Sequence, residues 1–116
     1  MATYQLIYVS SATETFTREK FLDMAFLMSS ENTKVGITGM LVFKDGNFME
    51  VLEGEESAIK ALFSKIEQDS RHTLVSVIQE GEISSREYPS WAMTFYNPQT
   101  EEYEHVGSPI QWQDKL

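Results

Sequence analysis

An Asp-Gly pair at positions 45 and 46 separates two β-rich runs and limits the choice of fold more than any other part of the sequence. Residues 36–44 precede the pair and residues 47–53 follow it, and both runs are rich in apolar and β-branched side chains. Asp-Gly favours the two-residue type I′ turn, whose backbone twist matches that of paired antiparallel strands. The sequence therefore predicts a β-hairpin at this point.

Two segments with helical periodicity flank the hairpin. The first follows Thr17, a good N-cap residue, and is expected to end near Ser30, whereas the second spans residues 56–68. Each places its apolar residues at the spacing of one helical face: Phe21, Met24, Ala25 and Met28 in the first segment, and Ile59, Leu62, Phe63 and Ile66 in the second. Both segments are predicted to be amphipathic helices.

Further strands are predicted over residues 4–10, 72–79 and 91–96, which gives the element order βαββαββ. Two helices around a hairpin, with strands on either side, indicate an α+β, ferredoxin-like sandwich. Its mixed sheet would carry both helices on one face. We expect one domain over residues 1–97 and a C-terminal extension over 98–116. The apolar residues of the extension follow no clear helical or strand periodicity. They could nevertheless cover a sheet face: Tyr103, Val106, Ile110 and Trp112.

Composition excludes several classes of function. Nine Lys and Arg face eighteen Asp and Glu, and the net charge of −9 disfavours nucleic acid and anionic membranes as partners. The absence of cysteine excludes disulfides, thiol catalysis and thiolate metal sites. His72 and His105 lie far apart with no second ligand at metal spacing, so no metal site is predicted. Without a membrane span or a secretory signal, a cytoplasmic protein is expected.

Glu50 is out of place in the predicted hairpin. The two-residue turn pairs Phe43 with Phe48, Leu41 with Glu50 and Gly39 with Leu52, so these six residues share one face with Ile37. An unpaired buried carboxylate costs several kcal/mol, so on that face Glu50 must be neutralised, paired or placed beside a polar ligand.

The alternative is that Met40, Met49 and Val51 line the helix-packed face and leave Glu50 in solvent. Gly39 favours the buried placement, because its missing side chain could let something flat approach the backbone on the Glu50 face.

Five segments, taken together, resemble the BLUF family of blue-light sensors that use flavin. They are Tyr8 in LIYVS, Asn32 before GITGMLVF, the segment FMEVLEG, DSRH, and WAM. The resemblance covers roughly residues 3–96 and points to the short, single-domain type. It implies a ferredoxin-like domain that binds flavin non-covalently between its two helices, usually FAD, with FMN as the other possibility.

The resemblance also assigns roles to individual residues. Tyr8 would pass an electron and a proton to the photoexcited flavin, and Asn32 would hydrogen-bond the carbonyl edge of the ring. Met24 and Ile66 would sandwich the ring system, and Arg71 and His72 would lie near its ribityl and phosphate end. Trp91 and Met93 would relay the light signal. On local grounds alone, Tyr8 could be a packed core residue, Asn32 a helix cap, and Arg71 with His72 a solvated helix end.

The sequence departs from the family at Glu50, where FMEVLEG replaces a segment that usually carries glutamine between tyrosine and flavin. A neutral carboxyl can donate one hydrogen bond and accept another, as an amide does, whereas a carboxylate can only accept. Desolvation should raise the pKa of Glu50, and Arg71 should be too far away to lower it. We therefore expect the protonated form.

These observations predict a light sensor without catalytic activity, in which light changes the hydrogen bonds among Tyr8, Glu50 and flavin. Signalling would then pass to a downstream effector protein, and a homo-oligomer is possible. Two alternatives remain: a light-silent flavin-binding interaction protein, which the Glu50 departure favours, and an acylphosphatase-like hydrolase. The hydrolase would need an arginine-bearing anion loop after the first strand, where this chain has SSATETFT.

Overall fold

The computed structural model describes residues 3–97 and 100–107, which form one mixed sheet with two helices. The elements along the chain are β1 (Thr3–Ala12), α1 (Arg18–Lys34), β2 (Thr38–Lys44), β3 (Asn47–Gly54), α2 (Glu56–Glu67), β4 (His72–Ile83), β5 (Ala92–Asn97) and β6 (Glu102–Gly107). The strand order is β4-β1-β3-β2-β5-β6. Strands β2 and β5 run parallel, and the other pairs in this order are antiparallel. The predicted ferredoxin-like α+β sandwich is confirmed.

The predicted hairpin is present with the predicted register. Asp45 has φ of 52° and Gly46 has φ of 79°, the positive values that a type I′ turn requires at both central positions. Phe43 faces Phe48, Leu41 faces Glu50 and Gly39 faces Leu52. The hairpin therefore fixes which side chains of β2 and β3 point toward the helices.

Both helices cover the same face of the sheet, over two separate groups of core side chains. Helix α2 packs on β1 and β3, and α1 packs on β2 and β5. The first group lies under α2 and contains Tyr4, Leu6, Tyr8, Ile37, Leu52, Ile59, Ile66 and Trp91. The second lies under α1 and contains Phe16, Phe21, Ala25, Leu41, Phe43, Phe48, Met93 and Phe95. The helix-facing side of the sheet is thus divided between two clusters.

Helix α1 is longer than predicted. Its start agrees with the prediction, because the Thr17 side chain accepts a hydrogen bond from the Lys20 amide. Its end does not, because the helix continues past Ser30 to Lys34. The apolar period ends near Met28, but the last turn is held by the Asn32 carbonyl, which accepts from the amides of Val35 and Ile37. Asn32 therefore lies inside the helix and not beyond it.

The C-terminal segment also differs from its prediction, because residues 102–107 form strand β6 on the edge of the sheet. The sequence does not indicate this strand because most of its residues are polar, and the strand is held by backbone pairing with β5. Tyr103 is 48% exposed and lies opposite Tyr96, and the centroids of the two rings are 5.0 Å apart. Val106 pairs with Met93 through the backbone, while Ile110 and Trp112 lie outside the described residues.

Smaller differences concern β4 and β5. Strand β4 extends to Ile83 and not to residue 79, and most of its side chains are exposed because it forms the other edge of the sheet. Strand β5 begins at Ala92, one residue after Trp91. Neither helix in the described part of the chain is long and apolar enough to cross a bilayer.

The reason for glycine at position 39 is not the predicted one. A Cβ built on Gly39 would lie 1.7 Å from the Val51 carbonyl oxygen of the adjacent strand. Strand β3 itself occupies the space beside Gly39. The hypothesis that this glycine admits a flat ligand is therefore wrong, although the buried placement of Glu50 that it favoured is correct.

Candidate functional site

A cavity of about 170 Å³ lies between the two helices, where the two core clusters meet. Strand β1 contributes Tyr8, and α1 contributes Met24, Met28 and Asn32. The remaining lining residues are Leu41, Phe48, Leu62, Lys65, Ile66, Asp69, Arg71 and His72. Its walls are apolar on the sheet side, and its charged lining residues come from the last turn of α2 and from the α2–β4 connection. Such a cavity suits a ligand with a flat apolar body and a charged end.

Tyr8 and Glu50 form a buried hydrogen-bonded pair beside this cavity. The Tyr8 hydroxyl donates to Glu50 Oε1 at 2.6 Å, and the two residues are directly opposite each other on β1 and β3. Glu50 also faces Leu41 on β2, so it lies between two residues that line the cavity. Its side chain is 0% exposed. Of the two placements considered for the hairpin, the structure shows the buried one.

Burial sets the protonation of both members of the pair. Desolvation raises the pKa of Glu50 to about 7, although the hydrogen bond from Tyr8 acts in the opposite direction. Desolvation, followed by the neighbouring Glu50 charge and hydrogen bond, raises the pKa of Tyr8 well above its ordinary value. The predicted rise for Glu50 is confirmed. At and below neutral pH, a substantial fraction of Glu50 is therefore a carboxylic acid beside a neutral phenol.

Two buried polar atoms at this site have no hydrogen-bond partner among the described residues. They are Asn32 Nδ2 and Glu50 Oε2. Burying an unsatisfied polar atom costs about 1–3 kcal/mol, so such atoms are uncommon in folded proteins and call for an explanation. One is an amide donor, and the other belongs to a carboxyl that can donate when protonated. Both would be satisfied by a ligand with acceptor atoms along one edge.

Arg71 and Asp69 lie at the charged end of the cavity. The guanidinium Nε donates to both Asp69 oxygens at 2.9 and 3.0 Å, and Nη2 completes a two-pronged ion pair. The hydrogen bond from Arg71 holds the pKa of Asp69 below its usual range. Lys65 adds a second cation to the lining. A negatively charged ligand group at this end would compete with Asp69 for Arg71.

His72 is held in place by two hydrogen bonds. Its Nδ1 lies 2.9 Å from Ser10 Oγ, and its Nε2 lies 2.6 Å from the Ile66 carbonyl oxygen. A carbonyl can only accept, so Nε2 carries a hydrogen, and in the neutral ring Nδ1 accepts from the Ser10 hydroxyl. Neither nitrogen can bind a ligand without breaking one of these bonds. His72 therefore lines the cavity with a ring whose orientation the protein fixes.

Trp91 and Met93 do not line the cavity. Trp91 is 7% exposed, and its indole Nε1 donates to the Ile37 carbonyl at 3.1 Å. Met93 is 2% exposed and pairs with Leu41, which does line the cavity. Trp91, just before β5, and Met93, within β5, are thus both buried, one in each core cluster.

The structure brings together six predicted residues around the cavity and places Glu50 against one of them. The lining residues are Tyr8, Met24, Asn32, Ile66, Arg71 and His72. Sequence reasoning missed Met28, Leu41, Phe48, Leu62, Lys65 and Asp69 as lining residues. For Met28 and Leu62 a signal existed, since each is four residues from a predicted ring contact on the same helical face. Asp69 could have been found from its spacing of two residues from Arg71.

Comparison with known proteins shows the family to which the chain belongs. The family model described as sensors of blue light using FAD matches residues 3–94. The chain belongs to the BLUF family. BLUF domains bind flavin and sense blue light, so the predicted family, cofactor class and sensory function are confirmed. The comparisons support neither the light-silent alternative nor the acylphosphatase-like one.

Relatives of known function carry this BLUF domain within longer chains. Over 93 residues the chain is 38% identical to photoactivated adenylate cyclase subunit beta of Euglena longa, an alignment that covers 77% of this chain and 10% of the relative. Over 67 residues it is 33% identical to the blue light- and temperature-regulated antirepressor of Escherichia coli (strain K12), covering 58% of this chain and 17% of the relative. The chain thus spans a small part of the curated relatives that it matches.

Solved structures give the same result. A bacterial light-regulated adenylyl cyclase superposes with a TM-score of 0.76 at 28% identity, covering 97% of this chain and 31% of the cyclase. BlrB, a BLUF protein in its dark state, gives a TM-score of 0.73 at 26% identity, covering 81% of this chain and 71% of BlrB. BlrP1 of Klebsiella pneumoniae, solved with FMN, is 34% identical over 72% of this chain and 23% of BlrP1, with a TM-score of 0.67.

The residues of the cavity fit a flavin. The ring system is flat and largely apolar, with nitrogen and carbonyl acceptors along one edge and a charged phosphate chain at the other end. The apolar walls suit the ring system, and the unsatisfied Asn32 Nδ2 and Glu50 Oε2 suit its acceptor edge. The charged end of the cavity, with Arg71, suits the phosphate chain.

Proposed function

We propose that this BLUF domain binds FAD in the cavity between α1 and α2, and that blue light changes the hydrogen bonds of Tyr8 and Glu50. The observation that carries the proposal is the 2.6 Å bond between these buried groups, beside a cavity with unsatisfied polar atoms. When bound, flavin supplies absorption of blue light and an excited state that accepts an electron. FMN is the second candidate cofactor.

Tyr8 acts as the electron donor and gives up its proton at the same time. Its raised pKa means that the phenol is neutral at physiological pH, so loss of an electron requires loss of the hydroxyl proton. Glu50 Oε1 already accepts that hydrogen bond at 2.6 Å and is the atom that can take the proton. Tyr8 is thereby both the electron donor and the first residue in the path of the proton.

Glu50 takes the place of the glutamine that the family usually carries. When protonated, it keeps its hydrogen on Oε2, because Oε1 accepts from Tyr8. It could then receive a proton on Oε1 and release one from Oε2 to an acceptor on the bound ligand, and it would remain a carboxylic acid. An amide that did the same would become its imidic acid tautomer. An ionised Glu50 has no proton on Oε2 to donate. The light response should therefore depend on the protonation of Glu50.

In this proposal Asn32, Met24, Ile66 and Arg71 would hold the cofactor, and the His72 ring would form part of the wall of its site. Asn32 Nδ2 would donate to an acceptor of the ring, and Met24 on α1 and Ile66 on α2 would provide apolar contacts from opposite helices. Arg71 attracts the phosphates, which explains how an acidic domain holds an anionic ligand. His72 keeps the α2 end and β1 in position through its bonds to Ile66 and Ser10.

The domain signals to a partner protein and has no catalytic activity of its own. Relatives with cyclase names carry the BLUF domain in a chain about ten times longer, which is why we assign readout to an effector. Trp91, just before β5, and Met93 on β5 are the residues that pass the change on. Residues 1–97 form the flavin-binding unit in this proposal, and residues 98–116 are its C-terminal extension. Assembly into a homo-oligomer and a cytoplasmic location stay predictions.

The experiment is absorption spectroscopy of the chain loaded with FAD. Blue light should produce a small, reversible red shift of the flavin band, and Tyr8→Phe should abolish the shift while leaving flavin bound. A chain that refuses FAD, or a Tyr8→Phe variant with an unchanged photocycle, would contradict the proposal.

A further inference from the structure

Glu53 is a second buried carboxylate, on the face of the sheet away from the helices. It is 0% exposed, yet its oxygens are well supplied with donors. Oε2 accepts from Gln5 Nε2 at 2.8 Å and from the Glu87 amide at 3.2 Å, and Oε1 accepts from the Tyr88 amide at 2.8 Å. A carboxylate, which only accepts, matches these three donors. Glu53 therefore connects β3 to Gln5 on β1 and to the backbone amides of Glu87 and Tyr88.

Two of those donors belong to the β4–β5 connection, residues 84–91, which we call the clasp loop. The loop has a second attachment through Arg86, whose Nη1 donates to Thr38 Oγ1 at 2.6 Å and to the Glu53 carbonyl at 3.0 Å. Arg86 Nη2 donates to the Gly36 carbonyl at 2.8 Å. The clasp loop is therefore tied to β3 and to the α1–β2 connection, which starts shortly after Asn32.

The clasp loop ends at Trp91, which is fixed in the same region. The Trp91 indole donates to the Ile37 carbonyl, and Ile37 lies between Gly36 and Thr38, two residues that Arg86 contacts. Loss of the Glu53 bonds would remove one attachment of the backbone just before Pro89, in the segment that leads into β5. Trp91 and Arg86 of the clasp loop are therefore attached to the same short segment, residues 36–38.

Glu53 is also linked to the light-sensitive pair through strand β3. In the sheet, Gln5, Glu53 and Thr38 form one cross-strand row, and Tyr8, Glu50 and Leu41 form another row three residues along. The Gln5–Glu53 bond joins side chains of β1 and β3 in the same register that places Tyr8 opposite Glu50. Glu50 and Glu53 are three residues apart on β3, so a single strand joins the two rows.

We propose that Glu53 is a positioning residue that couples the Tyr8–Glu50 pair to the clasp loop and so to Trp91. The inference rests on the proposed function, since it gives the light-driven change at Glu50 a route across the sheet. In the dark, the Glu53 carboxylate holds the amides of Glu87 and Tyr88. In the light, displacement of β3 loosens or tightens these two bonds.

The test is hydrogen–deuterium exchange of the FAD-loaded chain, in the dark and under blue light, for wild type and Glu53→Gln. Glu82→Gln removes a charge from an exposed position on β4 and is the matched control. We expect Glu53→Gln to keep its flavin and its red shift, while exchange at Glu87 and Tyr88 rises about tenfold in the dark. Wild type and the control should show an exchange change of about threefold at these amides on illumination, and Glu53→Gln should show none.

Arg86→Met gives a second test if Glu53→Gln does not fold, because Arg86 is less buried and its loss leaves the carboxylate bonds intact. It should raise dark exchange over residues 84–91 and reduce the light-induced difference there. A normal red shift with no light-induced change at the clasp loop, or with the same change in Glu53→Gln as in wild type, would overturn the coupling alone. A wild-type chain with bound flavin and no red shift would overturn the proposed function, and the coupling with it.

Discussion

The hydroxyl of Tyr8 lies 2.6 Å from Glu50 Oε1, and the Glu50 side chain is completely buried on the helix-packed face of the sheet. A carboxyl in this position has little access to water, and Tyr8 is its one hydrogen-bond donor among the described residues. Its protonation therefore controls both the stability of the domain and the hydrogen bonds available to the cofactor.

The stability of the flavin-free domain should fall as pH rises from about 4.5 to about 7. The pKa of Glu50 is about 7 in the folded chain and 4.5 for an unperturbed group, so over this window the folded state binds more protons than the unfolded state. The contribution lost is about 3 kcal/mol. Urea unfolding at several pH values measures it. The loss should be absent in Glu50→Gln and present in Glu82→Gln, and equal slopes in all three proteins would contradict the assignment.

The amplitude of the red shift should fall as pH rises through the pKa of Glu50. Only the protonated carboxyl has a hydrogen on Oε2, so the responsive fraction follows its titration. Difference spectra between pH 6 and pH 9 give the profile. Glu50→Gln should respond equally at all pH values in this range, and a wild-type profile as flat as that of the variant would show that protonation of Glu50 is not required.

Tyr8→Phe should abolish the red shift and raise the pKa of Glu50 further. The hydrogen bond from Tyr8 lowers that pKa, so its removal leaves desolvation unopposed. It should also cost about 1–2 kcal/mol of stability at low pH, because Glu50 Oε1 loses its donor. The carboxyl infrared band of Glu50 reports the titration directly. A Glu50 that titrates at lower pH in the variant would contradict the direction of this effect.

Asn32→Leu should weaken flavin binding about tenfold without lowering the stability of the flavin-free chain. The buried Nδ2 has no partner within the described residues, so the variant removes a donor that only a ligand would satisfy. Ser30→Ala, an exposed change on the same helix, is the control for general effects on α1. Fluorescence titration with FAD and thermal unfolding separate the two quantities. Full affinity in Asn32→Leu would remove Asn32 from the site.

Arg71 and Asp69 should have opposite effects on the affinity for FAD. Arg71→Met removes the cation at the charged end of the cavity, and Asp69→Asn removes the carboxylate that holds Arg71 and repels phosphate. The first variant should bind FAD about tenfold more weakly, and the second should bind it more tightly. Riboflavin lacks phosphate, so its affinity should change little in either variant. Equal losses for both ligands would indicate disruption of the cavity instead.

The sequence predicts the part of this structure that depends on local chemistry. The turn at Asp45-Gly46 fixes the register of the hairpin, and the register fixes the face that holds Glu50. The family motifs then place Tyr8 and Asn32 at one cavity. These predictions hold because turn geometry and side-chain alternation act over a few residues.

Features that depend on tertiary contacts were not predictable in the same way. Strand β6 has a polar sequence and owes its structure to backbone pairing with β5. Gly39 is required by close approach of the Val51 carbonyl, which no local pattern reveals. The binding of Glu53 to the amides of Glu87 and Tyr88 joins residues more than thirty positions apart. Single-sequence reasoning has no access to such contacts.

The absorption difference spectrum of the FAD-loaded chain at pH 6, recorded before and after blue light, tests the role of the Tyr8–Glu50 pair most directly. At this pH most of Glu50 carries its proton, and we expect a red shift that reverses in the dark. A flavin-bound chain whose spectrum stays the same under illumination would contradict the account.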